Sequence, residues 1–113
     1  MGIIAATMRL MTLTCTKNYL ETKLASNTEK MSVLTAKITE NEEFYGSLDP
    51  EAPQMSEYRV KKAEYNELEK KLEMEQKMLQ SRLQQVATEM EACQRMLYEG
   101  IQRSSMFTYG MGR

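Results

Sequence analysis

Residues that are apolar except at Lys17, Asn27 and Asn41 recur in alternating steps of three and four through the first 45 residues of this chain. Such a 7/2 repeat keeps one stripe of an α-helix, called the seam here, turned toward a partner helix along its length. The pattern therefore predicts a long helix that pairs with another helix. The seam positions are Ile3, Ala6, Leu10, Leu13, Lys17, Leu20, Leu24, Asn27, Met31, Leu34, Ile38, Asn41 and Tyr45.

The interior of the chain has one cluster of helix-breaking residues, and it divides the sequence into two helical segments. We expect helix 1 from about residue 3 to about 45, a loop over 46–56, helix 2 from about 57 to about 103, and a tail over 104–113. Ser56 is a candidate N-cap for helix 2. The candidate turn residues are Gly46, placed as a helix C-terminal glycine, with Asp49, Pro50 and Pro53.

The second segment carries a seam of its own. Its predicted members are Tyr58, Tyr65, Leu68, Leu72, Gln76, Leu79, Leu83, Val86, Met90, Cys93, Leu97 and Ile101. The step of 11 residues from Tyr65 to Gln76 predicts a local stutter, which relaxes a left-handed supercoil.

Two helices of nearly equal length joined by a short loop predict an antiparallel pair. The predicted fold is therefore all-α: a long two-helix coiled-coil hairpin that forms one domain over residues 1–113 and oligomerises into a bundle or filament. Asn27 and Asn41 interrupt the apolar seam. A polar residue there often sets register, so both are register-setting candidates; a solvent-facing position is the equal alternative.

Composition excludes several classes of function. The chain has 15 basic and 16 acidic residues, so it has no strongly basic face, and we predict no nucleic-acid partner. It has no histidine, which removes the usual general base and the usual zinc ligand. We therefore predict a protein that is not an enzyme, with no catalytic residues, no cofactor and no metal.

Residues 1–16 are largely apolar, with Arg9 as their single charged side chain. This run is too short and too interrupted to span a membrane, and it lacks the basic start of a cleaved signal peptide. The expected location is the cytoplasm, or outside the cell after export without cleavage. Cys15 and Cys93 are too few for a disulfide framework, and either two buried thiols or one bridge fits the sequence.

Antiparallel pairing brings residues 3–15 beside residues of about 90–105, and both segments are apolar. A second apolar stripe in helix 1 is predicted to lie beside the seam. This end has more apolar surface than two helices bury between them, so we expect association with further copies or with a helical protein. The alternative is a monomer whose tail folds back over this surface. The predicted association residues are Ile3, Ile4, Met8, Leu10, Met11, Leu13, Met90, Met96, Leu97, Ile101, Met106 and Phe107.

The opening residues carry a resemblance. Met1-Gly2, then Ala5, and the run Arg9-Leu10-Met11-Thr12-Leu13-Thr14 resemble a group of small uncharacterised bacterial proteins that start M-G-x-x-A and continue R-L-x-x-L-T. The architecture is similar to type III secretion needle subunits and flagellar axial helices, whose turn has its counterpart here in Pro50 and Pro53. It also resembles WXG100-like secreted hairpins, although Phe44 replaces their tryptophan.

These features favour a non-enzymatic structural subunit that assembles with itself, in a secretion-linked or surface filament. Two alternatives also fit the sequence. One is a small cytosolic chaperone or adaptor that holds a helical client on the same apolar surface, as prefoldin-like holdases do. The other is a WXG100-like secreted helical hairpin.

Overall fold

The structure, a computed structural model, describes the backbone of residues 2–111 and the side chains of residues 2–104. Helix α1 runs over Ile3–Tyr45 and helix α2 over Met55–Met111, with no strand in this part of the chain. The prediction of an all-α fold built on two long helices is confirmed.

The chain divides into two compact units. Unit 1 consists of Met1–Thr22 with Ser81–Arg113, and unit 2 consists of Lys23–Gln80. Unit 2 contains the turn between the helices and is a helical hairpin. Its closed end is held by the rings of Tyr45 and Tyr58, whose centroids lie 5.7 Å apart.

Unit 1 pairs the start of α1 with the last part of α2. Arg9 forms an ion pair with Glu89, and Ile3 lies against Gly100. Residue numbers therefore rise along α1 as they fall along α2, so the two segments are antiparallel. The predicted antiparallel pairing is confirmed within each unit.

The buried side chains of α1 recur every seven residues, as a heptad seam requires. They are Ala6, Leu13 and Leu20 in unit 1, and Asn27, Leu34 and Asn41 in unit 2; Tyr45, at the end of α1, is buried in addition. A second column is half-buried, and its members are Leu10, Leu24, Met31 and Ile38. The seam predicted for α1 agrees with this burial except at Ile3 and Lys17, which are exposed.

The seam of α2 differs from the prediction at two places. Leu68 is 45% exposed, whereas Glu69 beside it is half-buried. The steps of four and three thus continue without the predicted stutter, because buried neighbours on both sides keep the heptad in phase. Near the end of α2, Gly100 is half-buried and Ile101 is exposed, so Gly100 takes the seam position.

Gly100 lets α1 approach α2 closely. A Cβ atom at this position would lie 2.9 Å from Cγ1 of Ile3, which is closer than carbon atoms pack. The missing side chain thus makes room for the first residue of α1.

The turn uses Gly46 in a different way from the one predicted. No glycine in the described chain has positive φ, so Gly46 is not a left-handed helix cap. Its N–H donates to the carbonyl oxygen of Glu42 at 2.8 Å. A Cβ atom on Gly46 would come within 2.6 Å of that same oxygen, so close backbone approach is the reason for glycine here.

Asp49 and Pro50 form the tight turn that the sequence predicts. The carbonyl oxygen of Asp49 accepts from the N–H of Ala52 at 2.9 Å, and its Oδ1 accepts from the N–H of Glu51 at 3.1 Å. Proline fits the second position of such a turn because its φ is fixed near the required value.

Helix α2 begins at Met55, ahead of the predicted start near residue 57. Ser56 is therefore not the N-cap. Its hydroxyl donates to the carbonyl oxygen of Pro53 at 3.0 Å, whereas an N-cap side chain accepts from backbone N–H groups.

The helix also continues to Met111, past the predicted end near residue 103. Residues 101–109 hold neither glycine nor proline, so nothing in them stops a helix. Because Ile3 faces Gly100, residues 101–111 extend about 16 Å past the start of α1. Residues 104–111 thus continue the helix and do not fold back as a tail. The side chains of Met106 and Phe107 lie outside the described residues.

Candidate association surface

An apolar stripe is uncovered on α1 in unit 1. Ile4 is 77% exposed, Met8 is 64% exposed and Met11 is 65% exposed. Cys15 is also exposed and continues the stripe at the same spacing. These four residues, with the exposed α1 side chains beside them on the same side of the helix, are called the α1 outer surface below.

The α1 outer surface points away from α2. Each stripe residue lies two positions from buried Ala6 or Leu13, which is roughly 160° around the helix. The prediction that the stripe lies beside the seam is therefore wrong. It is on the opposite side of α1, where α2 does not cover it.

Threonine hydroxyls on this part of α1 are satisfied by the helix itself. Each donates to the carbonyl oxygen four residues earlier, a bond that removes the need for water at that hydroxyl hydrogen. The pairs are Thr7 to Ile3 (2.8 Å), Thr12 to Met8 (3.1 Å), Thr14 to Leu10 (2.8 Å) and Thr16 to Thr12 (3.0 Å).

Arg9, the single charged side chain of residues 1–16, forms an ion pair within its own chain. Nη2 of Arg9 donates to Oε2 of Glu89 at 2.7 Å, and both side chains are about half exposed. An exposed pair of this kind adds little to folding stability. It nevertheless places a negative charge beside Arg9, so the α1 outer surface carries no local excess of charge.

The outer side of α2 in unit 1 is different. It exposes Tyr98 and Ile101, but charged residues are interspersed with them, among them Arg95 and Glu99. Within unit 1, α1 therefore presents the more continuous apolar surface.

The predicted association residues separate into three groups. Four pack between the helices as buried or half-buried side chains, namely Leu10, Leu13, Met90 and Leu97. Six are exposed, namely Ile3, Ile4, Met8, Met11, Met96 and Ile101. The remaining two, Met106 and Phe107, lie outside the residues whose side chains are described.

Asn27 and Asn41 are both buried, so the solvent-facing alternative does not hold for either. Nδ2 of Asn27 donates to the carbonyl oxygen of Leu72 at 3.0 Å. Oδ1 of Asn27 is buried and has no hydrogen-bond partner among the described residues. A buried acceptor without a partner destabilises the fold, so Asn27 lowers the stability of this layer.

Heptad spacing on α2 in unit 2 places Lys62, Glu69 and Gln76 in one column. All three are polar. Glu69 and Gln76 are half-buried, whereas Lys62 is exposed. The half-buried members of this column add polar side chains beside the seam of unit 2.

A groove of about 430 Å³ lies on unit 2 and was not anticipated from the sequence. Val33 and Leu68 are exposed in its lining, and Lys30 and Lys37 also line it. The groove follows from the seam, because Glu69 takes the inward position and leaves Leu68 at its edge. The sequence indicates the inward position of Glu69, since Glu69 falls in the heptad column of Gln76 and Leu83.

The closed end of unit 2 is tied by reciprocal tyrosine hydrogen bonds. The hydroxyl of Tyr45 on α1 donates to Oε2 of Glu57 on α2 at 3.3 Å. The hydroxyl of Tyr58 on α2 donates to the carboxylate of Glu42 on α1 at 2.8 Å. These tyrosines hold the ends of the helices together beside the turn.

Cys15 is exposed and Cys93 is buried, and both are free thiols. The alternative of a bridge between them is not realised, and the alternative of two buried thiols fails at Cys15. Among the described residues, no group of three or more cysteine, aspartate or glutamate side chains is placed to hold a metal ion.

Over the part of the chain that the structure describes, neither helix contains a stretch long and apolar enough to cross a membrane.

Comparison with protein-family models, with curated proteins and with solved structures found no match to this chain.

Proposed function

We propose that this chain is a non-enzymatic structural subunit that associates with further copies of itself through the α1 outer surface. The observation that carries the proposal is the position of Ile4, Met8 and Met11. They are largely exposed on the side of α1 that α2 cannot reach. A repeated apolar stripe at helical spacing on an otherwise uncharged surface is typical of a helix that packs on another helix.

The size of the stripe sets the expected strength of association. Covering the exposed parts of Ile4, Met8 and Met11 contributes about 1–2 kcal/mol for each side chain. Two copies together therefore gain on the order of 6–12 kcal/mol, against an association cost of about 4–15 kcal/mol. We expect reversible assembly that depends on protein concentration.

The same surface supports growth into a larger structure if a second contact exists elsewhere on the chain. A secretion-linked or surface filament is the form of this role that the resemblance to export-competent helical subunits favours. The 11 residues of α2 beyond the start of α1, Ile101 through Met111, add a helical end that α1 does not accompany.

A second candidate function is a small chaperone or adaptor that holds a helical client. The observation favouring it is that Met8 and Met11 are exposed together. Methionine is flexible and polarizable, and methionine-rich surfaces adapt to different partners.

The test is the mass of the full chain in solution, measured by light scattering over a range of concentrations. The test variant replaces the stripe as Ile4→Gln, Met8→Gln and Met11→Gln. Its matched control is Val60→Gln, Met74→Gln and Met78→Gln, three apolar residues exposed on unit 2. Both triple variants make the same kind of change, so they separate the role of the surface from the loss of apolar residues.

The proposal expects a mass that rises above the monomer with concentration in the natural chain and the control, and a monomer in the stripe variant. A monomer at every concentration would overturn it. A chain of constant mass that binds one added amphipathic helical peptide through the stripe would support the adaptor function instead.

A further inference from the structure

The stripe on α1 has a spacing that reads the same in both directions. Ile4, Met8, Met11 and Cys15 follow one another in steps of four, three and four. A helix turned end over end therefore presents its stripe at matching positions.

Resting on the proposed self-association, we infer that the α1 outer surface binds the same surface of a second copy in antiparallel orientation. The two helices are related by a twofold axis that passes between Met8 and Met11. In this arrangement, Met8 of each copy packs on Met11 of the other, and Ile4 packs on Cys15 of the other.

Charge makes this surface suited to a copy of itself. A surface with charges of one sign would repel its own copy, and like charges brought together across an interface cost several kcal/mol. Here Arg9 is the single charged side chain in the first 16 residues, and it is paired with Glu89 of its own chain at 2.7 Å. Two such surfaces meet without leaving a charge uncompensated.

The start of α1 favours the antiparallel orientation. Its first turn contains no acidic residue, so the partial positive charge of the helix N-terminus is not offset by a side chain. Parallel pairing would bring two such N-termini together. Antiparallel pairing instead separates them and places each beside the Cys15 end of the other stripe.

The contact is small. Four side chains and their short neighbours cover less than the roughly 800 Å² per partner of a standard interface. A twofold contact also closes on itself at two copies. We therefore expect a reversible dimer as the first assembly, and a filament would require a second, different contact.

Disulfide crosslinking tests the orientation. In the antiparallel dimer the two Cys15 thiols lie about 16 Å apart along the helix, because 11 residues separate positions 4 and 15. Mild oxidation of the natural chain should then give no disulfide-linked dimer. The variant Ile4→Cys should give one, because its new thiol faces Cys15 of the second copy.

Two controls isolate that crosslink. Adding Cys15→Ser to Ile4→Cys should abolish the covalent dimer. Val60→Cys places an exposed thiol on unit 2 and should not crosslink. Sedimentation of each variant before oxidation, at the same concentration, shows whether its non-covalent dimer is retained.

A covalent dimer of the natural chain through Cys15 would overturn the antiparallel orientation in favour of parallel pairing. A non-covalent dimer of the Ile4→Cys variant that fails to crosslink would overturn the proposed surface pairing, while the self-association function stands. A natural chain that sediments as a monomer at every concentration would refute the function itself.

Discussion

The side-chain amide of Asn27 donates a 3.0 Å hydrogen bond to the backbone carbonyl oxygen of Leu72, across the two helices of unit 2. The other end of the same amide, Oδ1, is buried without a partner in the described chain. Asn27 is thus a polar group that holds α1 to one position on α2 and lowers stability in doing so. This combination is the one expected of a residue that sets register.

We expect Asn27→Leu to raise the free energy of unfolding by about 1–2 kcal/mol, because it removes the unpaired acceptor and fills the layer with an apolar side chain. Urea unfolding at a fixed protein concentration measures the change. Asn66→Leu, at an exposed position of α2, is the control and should leave stability within about 0.5 kcal/mol. A loss of stability in Asn27→Leu would show that Oδ1 has a partner in solution.

The in-phase seam of α2 makes opposite predictions for two nearby leucines. Leu72 is 5% exposed and Leu68 is 45% exposed. Leu72→Ala should lower the free energy of unfolding by about 2–4 kcal/mol, and Leu68→Ala by less than about 1 kcal/mol. The comparison uses the same chemical change on the same helix. Equal losses of stability would show that both leucines lie in the seam, as the predicted stutter requires.

Gly46→Ala should destabilise the turn by about 1–3 kcal/mol, because the new Cβ would meet the carbonyl oxygen of Glu42 at 2.6 Å. The thermal midpoint, followed by circular dichroism, reports the loss. Gly2→Ala adds a Cβ with nothing within 4 Å and serves as the control, with no expected change. A neutral Gly46→Ala would mean that the backbone of the turn adjusts freely.

Gly100 and Ile3 should be energetically coupled. Gly100→Ala improves helix propensity by about 1 kcal/mol, but its Cβ would lie 2.9 Å from Cγ1 of Ile3. The gain should therefore vanish in the natural chain and reappear in the Ile3→Ala background. A double-mutant cycle measures this, with an expected coupling of about 0.5–2 kcal/mol. Additive effects would show that the two residues do not touch.

The two thiols should react at very different rates. Cys15 is exposed and Cys93 is buried, so a thiol reagent should label Cys15 at once in the folded chain. Cys93 should become labelled only as the chain unfolds, because a buried thiol is shielded from the reagent. Mass spectrometry of timed samples distinguishes the two sites. Rapid labelling of both would contradict the packing of α2 in unit 1.

Much of the fold was predictable because a 7/2 repeat is a local property of the sequence. The repeat identified both helices and nearly every buried position of α1, and the cluster of glycine and proline identified the turn between them. The prediction fails on α2 at two places where a more apolar residue stands next to the residue in the seam. The predicted seam contains Leu68 and Ile101, whereas the phase of the heptad favours their neighbours Glu69 and Gly100.

The candidate association surface was predicted in part. The excess of apolar residues near the start of α1 was evident, but its position around the helix was not. Ile4 and Met8 lie nearly opposite the seam, not beside it as predicted. Leu13 was assigned to the same surface and is buried between the helices.

The sequence by itself determined that two long helices form and which stripe of each packs on the other helix, because helical periodicity is fixed by 3.6 residues per turn. The tertiary structure decided which apolar residues stay uncovered, since exposure depends on where the second helix lies and on how closely backbones approach. Gly100 shows this most clearly. Its importance comes from its contact with Ile3, a residue nearly the whole chain away in sequence.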